Sequence, residues 1–80
     1  MPRMDNLRGV MIKFENRTNG RFYYISVKKD LFGDLCVHIT RGGRNSSIGR
    51  LIFCGNGRMV REEIRRISKL RIQRGYTLVD

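Results

Sequence analysis

The sequence predicts an α+β domain: a small antiparallel β-sheet of four to five strands with one C-terminal amphipathic helix packed on one face. Three observations predict it. Four short runs rich in β-branched and aromatic residues follow one another. Only short Gly-, Asn- and Asp-containing turns separate them, so neighbours must pair antiparallel. After the last run the apolar period changes from that of a strand to that of a helix.

Residues 1–8 read as a flexible polar N-terminal arm, and residues 9–80 as a single domain. The first strand covers residues 9–15 (GVMIKFE) and the Asn-rich cluster up to Gly20 turns the chain. The second strand is Arg21–Lys29, with Phe22, Tyr24 and Ser26 on one face and Tyr23, Ile25 and Val27 on the other. Asp30 and Asp34 cap the next turn. The third strand, residues 35–40, alternates Leu35, Val37 and Ile39 with Cys36, His38 and Thr40. Residues 41–47 (RGGRNSS) form a loop without an apolar side chain, and residues 48–54 form the fourth strand. The helix is expected over residues 58–74. At 100° per residue its Met59, Val60, Ile64, Ile67 and Leu70 fall within about 140° of arc. Glu62 stands four residues before Arg66, a pairing distance on a helix. Gly75 is placed to end it in the left-handed region.

Length and composition exclude several classes. With 80 residues, 40% apolar and 30% charged, the chain has globular composition and room for one modest core. No apolar run approaches the roughly 18–20 residues of a membrane span. The opening MPRMDNLRG has no apolar core of a secretory signal, so no membrane partner is expected and the cytoplasm is the expected location. Two cysteines and one histidine cannot complete a four-ligand zinc site, so neither metal nor cofactor is expected. Cys36 and Cys54 read as buried, reduced core thiols; they bridge only if their strands are neighbours, which the sequence leaves open.

The charge is the main functional signal. Lys and Arg number 17 against 7 Asp and Glu, a net charge of +10. Of the basic residues 13 are Arg, whose planar fork suits phosphate oxygens. Residues 41–74 hold ten of the basic side chains and two of the acidic ones. A basic patch on a small domain is the electrostatic footprint of a nucleic-acid binder. In the 41–47 loop, glycines let the backbone approach an anion and Arg41 and Arg44 bracket them. On the helix, Arg58, Arg61, Arg65 and Lys69 line up opposite the apolar stripe, where they could follow a phosphate backbone or simply be solvated. Tyr23, Tyr24, Phe22 and Phe32 could stack on bases, although strand spacing favours core packing for each; Tyr23 and Tyr24 face away from one another, so one of them can be exposed. Catalysis is not expected. His38 is the one histidine, without an orienting acid and nucleophile in evident reach, and Glu62 and Glu63 point in different directions on the helix.

Arg21-Phe22-Tyr23, Asp30-Leu31-Phe32-Gly33, Gly42-Gly43-Arg44 followed by Gly49, and the closing Arg74-Gly75-Tyr76 together resemble a WGR domain. This small module occurs in poly(ADP-ribose) polymerases and in bacterial proteins, some of them stand-alone. The resemblance covers roughly residues 14–76 and implies an antiparallel sheet with one helix. In DNA-binding members the tryptophan packs on the sugar at a broken end. That position is Gly42 here, and the chain has no Trp, so the stacking role has no carrier.

The resulting expectation is a non-catalytic nucleic-acid-binding module, for DNA ahead of RNA, that contacts mainly phosphates. Its expected contact residues are Arg41, Gly43, Arg44 and Arg50 around the loop and Arg58, Arg61, Arg65 and Lys69 on the helix. The alternative is a protein-interaction module or small regulator that docks an acidic partner protein. A monomer or weak dimer is expected, since edge strands of so small a sheet can pair.

Overall fold

A computed structural model describes residues 9–79; the arm expected at residues 1–8 lies outside the described residues. The fold is a five-stranded antiparallel sheet with one C-terminal helix packed on it. In chain order the elements are β1 (Met11–Asn16), β2 (Arg21–Lys29), β3 (Leu35–Gly42), β4 (Ser47–Gly55), α1 (Gly57–Gln73) and β5 (Thr77–Leu78). The spatial order is β4-β3-β2-β1-β5. The first four strands form a meander, and the chain leaving the helix returns to the far edge beside β1. That two-residue edge strand is not visible in the sequence pattern, because it is too short to show alternation.

The alternation chooses the buried face. Ile12 and Phe14 of β1, Tyr23, Ile25 and Val27 of β2, and Val37 and Ile39 of β3 lie together with Val60, Ile64 and Ile67 of α1. Burying this set drives the helix onto the sheet. Met59, which the helical stripe includes, is nearly half exposed, and Ser68 takes a buried place instead. The second face of the sheet carries Phe22, Tyr24, Cys36, His38 and Thr40, and among the described residues no element packs over it.

The turns follow local side-chain chemistry. The Asn16 Oδ1 accepts from the Thr18 N–H and the Asn19 Oδ1 from the Arg21 N–H, while Gly20 adopts a φ of 73°. In the β2–β3 turn the Asp30 Oδ1 accepts from the N–H groups of Phe32 and Asp34 at 2.9 and 2.8 Å. The Asn56 side chain caps α1 by accepting from the Met59 N–H at 2.9 Å. At the far end Gly75 has a φ of 89°, the Tyr76 N–H donates to the Arg71 carbonyl and the Gly75 N–H to that of Ile72. These two bonds make a Schellman turn, which folds Tyr76 back over the last turn of the helix.

Two expectations are corrected. Cys36 and Cys54 are not free thiols: β3 and β4 are neighbours, their register sets the two residues opposite each other with Cα atoms 4.1 Å apart, and they form a disulfide. Cys36 is buried and Cys54 exposed. The register was unreadable in advance because it is shifted at Val37/His38, where Ile52 is the extra residue of β4. The helix pairs also differ. Arg66 pairs with Glu63 and Glu62 with Arg58, so the (i,i+4) partner of Glu62 precedes it instead of following it.

Candidate anion-binding groove

The 41–47 segment is mostly strand. β3 runs on to Gly42 and β4 begins at Ser47, so the loop is only residues 43–46, closed by the Gly43 N–H donating to the Ser46 carbonyl at 3.0 Å. The hairpin crosses itself tightly at Gly42, where a Cβ atom would stand 2.0 Å from the Ser46 carbonyl oxygen. No side chain fits there, a tryptophan least of all. The backbone groups that the loop can offer an anion are likewise reduced, because the Gly43 N–H is already used.

The same extension carries Arg41 to the helix side of the sheet, two residues beyond Ile39. There it meets the first residues of β2 and the last turn of α1. The three elements enclose a groove of about 580 Å³. Arg21 and Tyr23 come from β2, Arg41 and Gly43 from the β3–β4 hairpin, and Arg71, Arg74 and Tyr76 from the end of the helix. Among the described residues none of the side chains lining it is acidic.

Arg71 is the most built of the four arginines. Its guanidinium carbon lies 4.4 Å from the centre of the Tyr23 ring and 5.5 Å from that of Tyr76, and the two rings meet edge to face. Both rings hold the cation without neutralising it. Its Nε is buried and makes no hydrogen bond. Arg74 caps the helix, where a cation also offsets the partial negative charge of the C-terminus. Arginine forks without carboxylates, at the mouth of a concave site, suit an oxyanion such as phosphate.

The structure brings together two of the expected contact residues, Arg41 and Gly43, and adds Arg21, Arg71 and Arg74 to them. Arg44 is exposed at the hairpin tip, and Arg50 is exposed on β4 opposite Ile39; neither lines the groove. Arg58, Arg61, Arg65 and Lys69 lie on the helix face turned away from Val60, Ile64 and Ile67, and so away from the sheet. Arg58 there is 3.6 Å from Glu62. Nearby, hydrogen bonds to Glu63 and its charge raise the Arg66 pKa. The missed residues carried a faint signal. Arg71 and Arg74 are three apart in the helix's last turn and within the sector of the buried residues, where a cation is out of place unless it has a task.

Compared with known proteins, the chain matches no family model, no curated protein and no solved structure. Among the described residues no helix is long and apolar enough to cross a membrane.

Proposed function

We propose that the protein is a non-catalytic nucleic-acid-binding module that grips phosphates, DNA ahead of RNA, in the groove between the β3–β4 hairpin and the end of α1. One observation carries this reading: Arg21, Arg41, Arg71 and Arg74 converge on a single concave site without an acidic neighbour in its lining. The net charge of +10 supports it by drawing any polyanion toward the domain. Backbone gripping also agrees with the absence, among the described residues, of a second helix that could build a helix-turn-helix.

The test is fluorescence anisotropy with a labelled duplex, a single strand and a structured RNA at 50, 100 and 200 mM salt. Micromolar or tighter binding is expected, with a log–log salt slope of about −3 to −4 if each groove arginine neutralises one phosphate. Absence of binding to all three at 50 mM salt overturns the reading.

A second reading, docking of an acidic partner protein, is favoured by the β2–β3 turn. Leu31 and Phe32 stand 99% and 89% exposed on a hydrogen-bonded turn that follows Lys28 and Lys29. Aromatic side chains such as Phe32 are enriched at protein interfaces. Failure of all three nucleic acids in the same titration would favour this reading.

A further inference from the structure

The uncovered face of the sheet has its own chemistry. Phe22 and Tyr24 are two apart on β2, so both point away from the helix, and their ring centres are 4.8 Å apart. The Lys13 ammonium lies over the Tyr24 ring at 5.7 Å. The rings are half exposed: on the β3 side Gly42 stands opposite Phe22 and Thr40 opposite Tyr24, and on the β1 side Glu15 stands opposite Phe22 and Lys13 opposite Tyr24.

This aromatic pair adjoins the arginine groove. Phe22 lines the groove's end, next to Arg21, and Lys13 supplies a further cation beside Tyr24. Flat rings flanked by cations on an open sheet face are a surface on which unpaired bases stack while phosphates are held alongside. A duplex cannot use it, because its bases already stack on one another.

We infer that the open face of β1–β3 is a stacking platform for single-stranded DNA, with Phe22 and Tyr24 as the base-stacking rings and the arginine groove holding the adjoining phosphates. The inference rests on the phosphate-binding reading and specifies its substrate. Charge complementarity and continuity with the groove select a polyanion with exposed bases as the occupant.

The experiment compares a labelled twelve-residue thymidine strand, the matching uridine strand and a blunt duplex, binding to the full chain and to Tyr24→Leu, Phe22→Leu and Tyr24→Phe. Leucine keeps the apolar bulk and removes the π-face; Tyr24→Phe keeps the ring. Circular dichroism melts check that each variant folds. The thymidine strand is expected to bind tighter than the duplex. Each leucine variant should weaken it about tenfold and Tyr24→Phe less than twofold, and duplex affinity should change less than twofold in the two Tyr24 variants, whose side chain does not line the groove. Equal losses for strand and duplex, or none in a folded leucine variant, overturn the platform but leave the groove standing. Tighter, ring-dependent binding of the uridine strand overturns the assignment to DNA. Loss of all binding by wild-type protein at 50 mM salt removes the phosphate-binding reading itself.

Discussion

Two regions of the molecule carry comparable numbers of cations and differ in nearly everything else. The outer face of α1 carries Arg58, Arg65 and Lys69, all exposed, and the half-buried Arg61, with acidic side chains among them. The groove gathers Arg21, Arg41, Arg71 and Arg74 from three elements, with no carboxylate in its lining and with Tyr23 and Tyr76 against Arg71. The outer face is one-dimensional, a stripe set by helical spacing. Its Arg58–Glu62 pair is exposed, and exposed pairs of this kind are worth about 0–1 kcal/mol each. The groove exists only after folding. Clustering like charges costs free energy, and a bound anion relieves it. The difference teaches that a basic stripe legible in the sequence is weaker evidence for a binding site than unpaired cations the fold has brought together.

The largest break in this comparison is the combined variant Arg41→Gln, Arg71→Gln and Arg74→Gln. It should lose at least about hundredfold in affinity for the nucleic acid it binds at 100 mM salt, with the salt slope falling by about 0.7 per arginine removed for a single strand and about 0.9 for a duplex. Anisotropy titrations at several salt concentrations read both quantities. An unchanged slope would mean that the groove arginines touch no phosphate. Thermal melting should show the fold retained. Arg71 is the one removed cation packed between rings, and glutamine keeps part of its stem there.

A smaller effect is expected at the opposite end of the sheet. The Cys36–Cys54 bridge closes a loop with a sequence separation of 18, near the start of β3, whereas the groove adjoins its end. Reduction should lower stability by about 3 kcal/mol through the loop-closure entropy returned to the unfolded chain. Affinity at 25 °C should change less than twofold. Denaturant unfolding with and without dithiothreitol measures the first and anisotropy under the same conditions the second. A large loss of affinity would show that the two ends of β3 are coupled.

Much of the fold was legible because each strand announces itself locally. Alternation of Tyr23, Ile25 and Val27 against Phe22, Tyr24 and Ser26 is a backbone period, and it needs no knowledge of neighbours. The helix and its Gly75 end were equally local. What depends on pairing was not legible. The disulfide needed the register of β3 against β4, which the irregularity at Ile52 shifts. The hairpin looked like a seven-residue loop because RGGRNSS has loop composition, yet Arg41, Gly42 and Ser47 extend the strands and only four residues turn. That extension brings Arg41 to Arg71, thirty positions later in the chain, and no spacing rule reaches that far.

The smallest expected effect sharpens the comparison most. Arg65→Gln with Lys69→Gln removes two positive charges, against three for the groove variant, from a stripe that sequence periodicity alone favours. If phosphates follow the outer helix face, affinity should fall about tenfold or more and the salt slope by about 1.4 for a single strand or about 1.8 for a duplex. If the groove is the contact, only the general attraction of the domain for polyanions changes, and affinity should fall no more than about twofold with the slope nearly intact. The comparison between the two variants cancels much of the effect of net charge, so a difference in slope isolates location. A steep loss for the outer pair, with the groove variant near wild type, would move the binding surface to the opposite side of the helix.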